Sequence, residues 1–149
     1  MLIYRPEGNL RCTAYSVDGR LFAYASPEKY HTQVNALIRS VKIVNASSGA
    51  LQHTLPIANV HELSFSPKGS YLNTWERPWK NDEDGQAGKN SKVWDTTTGE
   101  MITEFVQKSQ NGWSLQYTQD EKYCCRNVTN EVHIFESANI QNGMDTCDG

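Results

Sequence analysis

Four histidines, four cysteines, four tryptophans and one short acidic run are the residues that chemistry could use in this chain. The histidines, His31, His53, His61 and His133, never fall in the H-x-x-x-H spacing that aims two imidazoles at one metal. His133 alternates with Val132 and Ile134, as an outward-facing strand residue does. Cys12, Cys124, Cys125 and Cys147 form no C-x-x-C pair, and adjacent cysteines do not readily supply two corners of a zinc tetrahedron, so reduced thiols are expected. The stretch "GQAGKNS" superficially suggests a phosphate loop. Gly85 is too close to Gly88, however, and Asn90 follows the lysine where a serine or threonine is needed. Asp82, Glu83 and Asp84 run together without the alternating ligands of a calcium loop. No catalytic residue, metal site or cofactor is therefore expected, and the chain reads as a non-enzyme.

Aromatic residues offer a different chemistry, because their faces can stack on unpaired bases. Trp75 and Trp94 lie in apolar strand patterns and are expected in the core. Trp79 stands in a mixed-charge insertion, "RPWKNDEDGQAGKN" (77–90), with Arg77 and Lys80 beside it, and these three are candidate contacts for RNA, ribosome or another partner. A first insertion, "PEKYHTQVNALIRS" (27–40), carries Lys29, Tyr30 and Arg39 and supplies three more. Two insertions from neighbouring units on one rim would share a binding surface, as loops on a rigid scaffold often do.

What must position these residues is a repeat. "AYSVDGRLFAYAS" (14–26) returns as "LSFSPKGSYLNTWE" (63–76) and more faintly as "LQYTQDEKYCCRN" (115–127). Each is a strand, a polar turn and a second strand. A second pattern follows: "VKIVNASSG" (41–49), "SKVWDTTTG" (91–99) and "VHIFES" (132–137). Gly19 and Gly69 hold matching turn places, while Glu121 takes the third, so that turn is expected to differ in geometry. Units of about 40 to 50 residues with four short strands, "F-S-P-x-G" at the first turn and Trp94-Asp95 ending the third strand are the signature of WD40-type propeller blades. The class is all-β. Strands are expected near 11–17, 20–26, 40–45 and 50–55, then 60–66, 70–76, 91–95 and 101–106, then 113–118, 122–127 and 131–136. Blades near 10–56, 60–107 and 113–137 make residues 1–137 a partial β-propeller, the third blade lacking a fourth strand, and 138–149 reads as a disordered tail. Such an incomplete ring leaves sheet faces and edges in water, so the chain is expected to be a fragment of a larger propeller.

The formal net charge of −3 lacks the basic excess of an autonomous nucleic-acid-binding domain. No stretch approaches the length of a membrane span, and Arg5, Pro6 and Glu7 interrupt what would be a signal peptide's apolar run, so a cytoplasmic protein is expected.

Between 105 and 136 the residues become more distinctive. Gln110-Asn111 with Trp113, then Arg126-Asn127-Val128, then "NEVHIFE" (130–136) resemble, in the same order, elements of the eukaryotic translation initiation factor 2A family. "LSFSPKGSYLNTWERP" and the glycine-containing insertion before "VWDTTTGE" (93–100) are similar too, and the likeness runs from about residue 10 to residue 137. Gly112 splits the family's Gln-Asn-Trp element, and Cys124-Cys125 stand where the family has one cysteine and a small residue. The resemblance implies an N-terminal fragment of a non-catalytic initiation factor, with the small ribosomal subunit, initiator tRNA and mRNA as partners. The other reading is a generic WD40 scaffold that binds proteins through its rim.

Overall fold

The computed structural model describes residues 12–25, 29–31, 36–38 and 40–141, and for 29–31 and 36–38 the backbone alone. The first sheet takes β1 (Thr13–Tyr15), β2 (Leu21–Ala25), β5 (Val41–Asn45) and β6 (Leu51–Leu55) in that order. Between β2 and β5 a separate two-stranded ribbon forms from β3 (Lys29–His31) and β4 (Ala36–Ile38), where a plain loop was expected. The second sheet runs β7 (Val60–Phe65), β8 (Tyr71–Glu76), β9 (Ser91–Asp95) and β10 (Met101–Phe105) in sequence order. The third holds β11 (Gln116–Tyr117), β12 (Tyr123–Val128) and β13 (Glu131–Glu136). All neighbours are antiparallel. The repeat extends to an irregularity: the register slips between Ile43 and Val44 where β5 meets β6, and between Met101 and Thr103 where β10 meets β9. A bulge of this kind bends a strand and adds twist.

Burial explains why these residues form these strands. Successive side chains of a strand point to opposite faces, and the second sheet is covered on both. Accordingly β8 and β9 are largely buried in both directions, with apolar side chains on each face. Leu72 and Trp94 pack with Ala23, Val41, Ile43 and Leu55 of the first sheet, while Tyr71 and Val93 pack with Cys124 and Phe135 of the third. Trp75 and Trp94 are buried as expected, and the Trp94 indole N–H donates to Thr74 Oγ1 at 3.1 Å. β1 and β7, the first strands of their sheets, lie against one another.

Three features differ from expectation. β11 is shorter than predicted, because Gly112, at a φ of 67°, turns the chain just ahead of it. After β13, Ser137–Asn139 form a 3-10 turn that carries Ile140 into the second core cluster, while 142–149 lie outside the described residues. The third turn keeps the geometry of the other two: Glu121 adopts a φ of 60°, beside 71° for Gly19 and 76° for Gly69. The same backbone bond closes each turn, from Gly19 to Ser16, Gly69 to Ser66 and Glu121 to Thr118, at 2.9 Å every time. A side chain in this left-handed region costs energy that glycine avoids.

Its carboxylate supplies the compensation. In the first turn Asp18 accepts from Ser16 Oγ at 2.7 Å and from the Arg20 amide at 3.0 Å. In the third, Asp120 accepts likewise from Thr118 Oγ1 at 2.6 Å and the Lys122 amide at 3.0 Å. The second turn has Lys68 at that place, and Glu121 reaches across from the neighbouring sheet to fill the acceptor role. Ser66 Oγ at 2.5 Å, the Lys68 amide at 2.6 Å and the Ser70 amide at 3.4 Å all donate to Glu121 Oε1. Burial pushes the Glu121 carboxyl up, and these donors outweigh it, so the group sits below the usual carboxylate range.

Candidate functional site

Antiparallel pairing sorts the connections by end. The turns at 16–20, 66–70 and 118–122 share one end of the sheets with those at 45–50 and 95–100. The insertions after β2 and β8 therefore open at the other end, with the connectors after β6 and β10.

The insertion at 77–90 is an ordered hairpin. Lys80 and Ala87 form a bridge, the Gly88 amide donates to the Trp79 carbonyl at 2.9 Å, and the Asn81 amide donates to the Gln86 carbonyl at 2.8 Å. The acidic run lies past that bridge, at the tip. There Asp84 Oδ1 accepts from the Gln86 amide at 2.9 Å, so part of the run shapes the turn. At the base, buried Asn90 acts as a pin: its Nδ2 donates to the carbonyls of Glu76 and Gln107, and its Oδ1 accepts from the Gln107 amide, each at 2.8 Å. The Trp75 indole N–H also donates to the Gln107 carbonyl, at 3.0 Å. "GKN" is thus structural, and its superficial likeness to a phosphate loop marks the anchorage of the hairpin instead.

Trp79 is 46% exposed. Its indole lies on the backbone of Gly88, where an added Cβ would come within 2.2 Å of Trp79 Cε2. Beside it opens a cleft of about 940 Å³, lined by Val60, His61, Glu76, Arg77, Trp79 and Lys92 among others. Glu76 is held by Lys92 Nζ at 2.9 Å, with both side chains largely buried. Arg77 and Lys80 are exposed and have no ion-pair partner among the described residues. At the opposite end, Arg20, His53, Lys68 and Thr97 border a smaller cleft of about 570 Å³.

Of the residues singled out in the sequence, Arg77, Trp79 and Lys80 come together on this hairpin. Lys29 and Tyr30 belong to β3, whose side chains lie outside the described residues, as does Arg39 entirely. Sequence reasoning missed Gly88, His61 and the Glu76–Lys92 pair. The only signal for Gly88 was its place in the glycine-containing run. Among the described residues no group of three or more His, Cys, Asp or Glu is placed to hold a metal ion. Cys12 and Cys124 are free thiols that burial pushes up in pKa, away from reactivity. No helix is long and apolar enough to cross a membrane among the described residues.

No protein-family model matches the chain. It is 47% identical over 133 residues to eukaryotic translation initiation factor 2A of Schizosaccharomyces pombe, a match covering 89% of this chain and 21% of that protein. Among solved structures, the crystal structure of a eukaryotic initiation factor superposes with a TM-score of 0.83 at 44% identity, over 96% of this chain and 33% of that one. The C-terminal WD40 domain of Sif2 superposes with a TM-score of 0.58 at 13% identity, over 91% of this chain and 33% of that one, a likeness of fold alone. The sheets are WD40-type propeller blades, and the chain spans about a fifth of the length of the curated relatives it matches.

Proposed function

The chain belongs to the eukaryotic translation initiation factor 2A family, and we infer from that membership that it acts as a non-catalytic adaptor in translation initiation. The partners are the small ribosomal subunit, initiator tRNA and the message, met in the cytoplasm. The observation that carries this reading is the extent of the likeness, 47% identity over 133 residues that make up 89% of the chain. The contact surface is the insertion end of the blades. Lys29, Tyr30 and Arg39 contribute from the first insertion and Arg77, Trp79 and Lys80 from the second. Support for that surface comes from the second hairpin, which projects an exposed indole and two cations without ion-pair partners among the described residues from a pinned base.

Co-sedimentation with purified small ribosomal subunits at low and moderate salt tests the reading, with the Schizosaccharomyces pombe relative as reference. The chain is expected to pellet with the subunit at low salt and to be released as salt rises, because phosphate contacts exchange with counterions. Pelleting by the relative while this chain stays in the supernatant would take the contact out of these blades. Failure of both would favour a general protein-binding scaffold.

A further inference from the structure

Trp79 is displayed in a way that core packing does not require. It is 46% exposed, whereas Trp75 and Trp94 are 3% and 5% exposed. Leaving an indole in water forgoes hydrophobic stabilisation, yet this one is held in place rather than left loose. Gly88 has no side chain, and any Cβ there would strike the ring at 2.2 Å. The hairpin bond from the Gly88 amide to the Trp79 carbonyl fixes the two strands face to face.

The charge around the ring is equally specific. Glu76 is the only carboxylate among the described residues lining the cleft, and Lys92 neutralises it at 2.9 Å. Arg77 is left without an ion-pair partner among the described residues. Asp82, Glu83 and Asp84 sit at the tip, past the bridge between Lys80 and Ala87. The cleft is thus lined by a half-exposed indole and by a guanidinium with no ion-pair partner among the described residues, and its one described carboxylate is neutralised. A ligand that suits this lining is planar, polar at its edges and anionic, which describes a nucleotide. Bases inside a duplex keep their faces stacked on each other, so the nucleotide has to come from an unpaired strand.

We propose that the Trp79 cleft binds single-stranded RNA, with one base stacked on the indole and the adjoining phosphate at Arg77. The choice of RNA over DNA rests on the translation-initiation reading, which the proposal deepens by naming the ligand of that surface.

The test is fluorescence anisotropy of a short fluorescein-labelled oligouridine titrated with the 149-residue chain at low salt. Binding is expected, with an unlabelled blunt duplex competing poorly. Trp79→Ala should weaken it about 5- to 150-fold, the range for losing one base–aromatic stack, and Trp79→Phe should retain most of it. Gly88→Ala keeps the indole but displaces it, and should weaken binding too. Arg77→Gln should lower the salt slope by about one. Circular dichroism of each variant separates loss of binding from loss of fold. Absence of oligouridine binding by the folded chain overturns the proposal, and so does binding that Trp79→Ala and Gly88→Ala both leave intact. Loss of ribosome pelleting in Trp79→Ala without any oligouridine binding would reassign the cleft to a protein partner and overturn it as well. Oligouridine binding without ribosome pelleting would instead sink the adaptor reading and leave the RNA site standing.

Discussion

The junction between the first and second sheets and the junction between the second and third do the same mechanical job with different chemistry. At the first junction Ala23, Val41, Ile43 and Leu55 meet Val60, Leu63, Leu72 and Trp94, and the turns touch through atoms without charge, Gly69 lying where a Cβ would meet Ser16 Cβ at 3.3 Å. At the second junction the apolar cluster is joined by directed polar ties. Glu121 binds the second turn, Tyr117 Oη donates to Asn73 Oδ1 at 3.1 Å while its ring stacks on Tyr71, and the Arg126 guanidinium lies 4.3 Å from the centre of the Phe105 ring and donates to the Val106 carbonyl. Hydrophobic contact is tolerant of direction, whereas a hydrogen bond from a buried group fixes register. The first junction therefore derives its strength from area, and the second draws part of its strength and most of its precision from a few atoms.

Three substitutions test that contrast. Leu72→Ala, at a side chain that is completely buried, should destabilise the chain by about 2–5 kcal/mol in urea unfolding, and the loss should be the same at acidic and neutral pH. A loss that varied with pH would mean that polar groups also govern the first junction.

Glu121→Ala should cost about 2 kcal/mol at neutral pH, since it removes charge-assisted bonds from Ser66, Lys68 and Ser70 together. Adding Lys68→Asp should recover part of this, because the second turn would regain a local acceptor like Asp18 or Asp120. Failure of that rescue would show that Glu121 matters for something other than acceptance. The pH dependence has a definite sign. The folded carboxyl lies below its ordinary value, so its contribution is complete above the unfolded carboxylate pKa of about 4.3 and fades as pH falls through the lower folded value. Amide exchange at Lys68 and Ser70 should accelerate in that acid range before exchange in β5 does.

Tyr117→Phe is the mildest. It keeps the ring stack, 5.7 Å between centroids, and deletes the bond to Asn73, for about 1 kcal/mol. A cost near zero would mean that Asn73 Oδ1 finds another donor.

Much of this architecture was legible in the chain. Strand alternation and turn residues are local properties, so "LSFSPKGSYLNTWE" announced β7, its turn and β8, and Trp94 announced a core position. Trp79, Arg77 and Lys80 were visible as an aromatic between cations. Less legible was Glu121, which looked like a departure from the glycine turn and proved to be its completion. Nothing near residue 121 says that Lys68 has left an acceptor missing in the neighbouring sheet. Gly88 was read as part of a false phosphate loop, because its role depends on an indole folded back over it.

The all-β class, the repeat, most of the blade strands and the two insertions are written in the residue order, since each follows from the periodicity and turn chemistry of a few consecutive residues; the β3–β4 ribbon and the short β11 are not. Folding settles which acceptor serves the second turn, which glycine underlies Trp79 and which cation neutralises Glu76 in the cleft. Those are relations between residues that are separated in the chain and meet only when the hairpin closes, the strands pair and the sheets pack, and the pattern of a few consecutive residues carries no information about them.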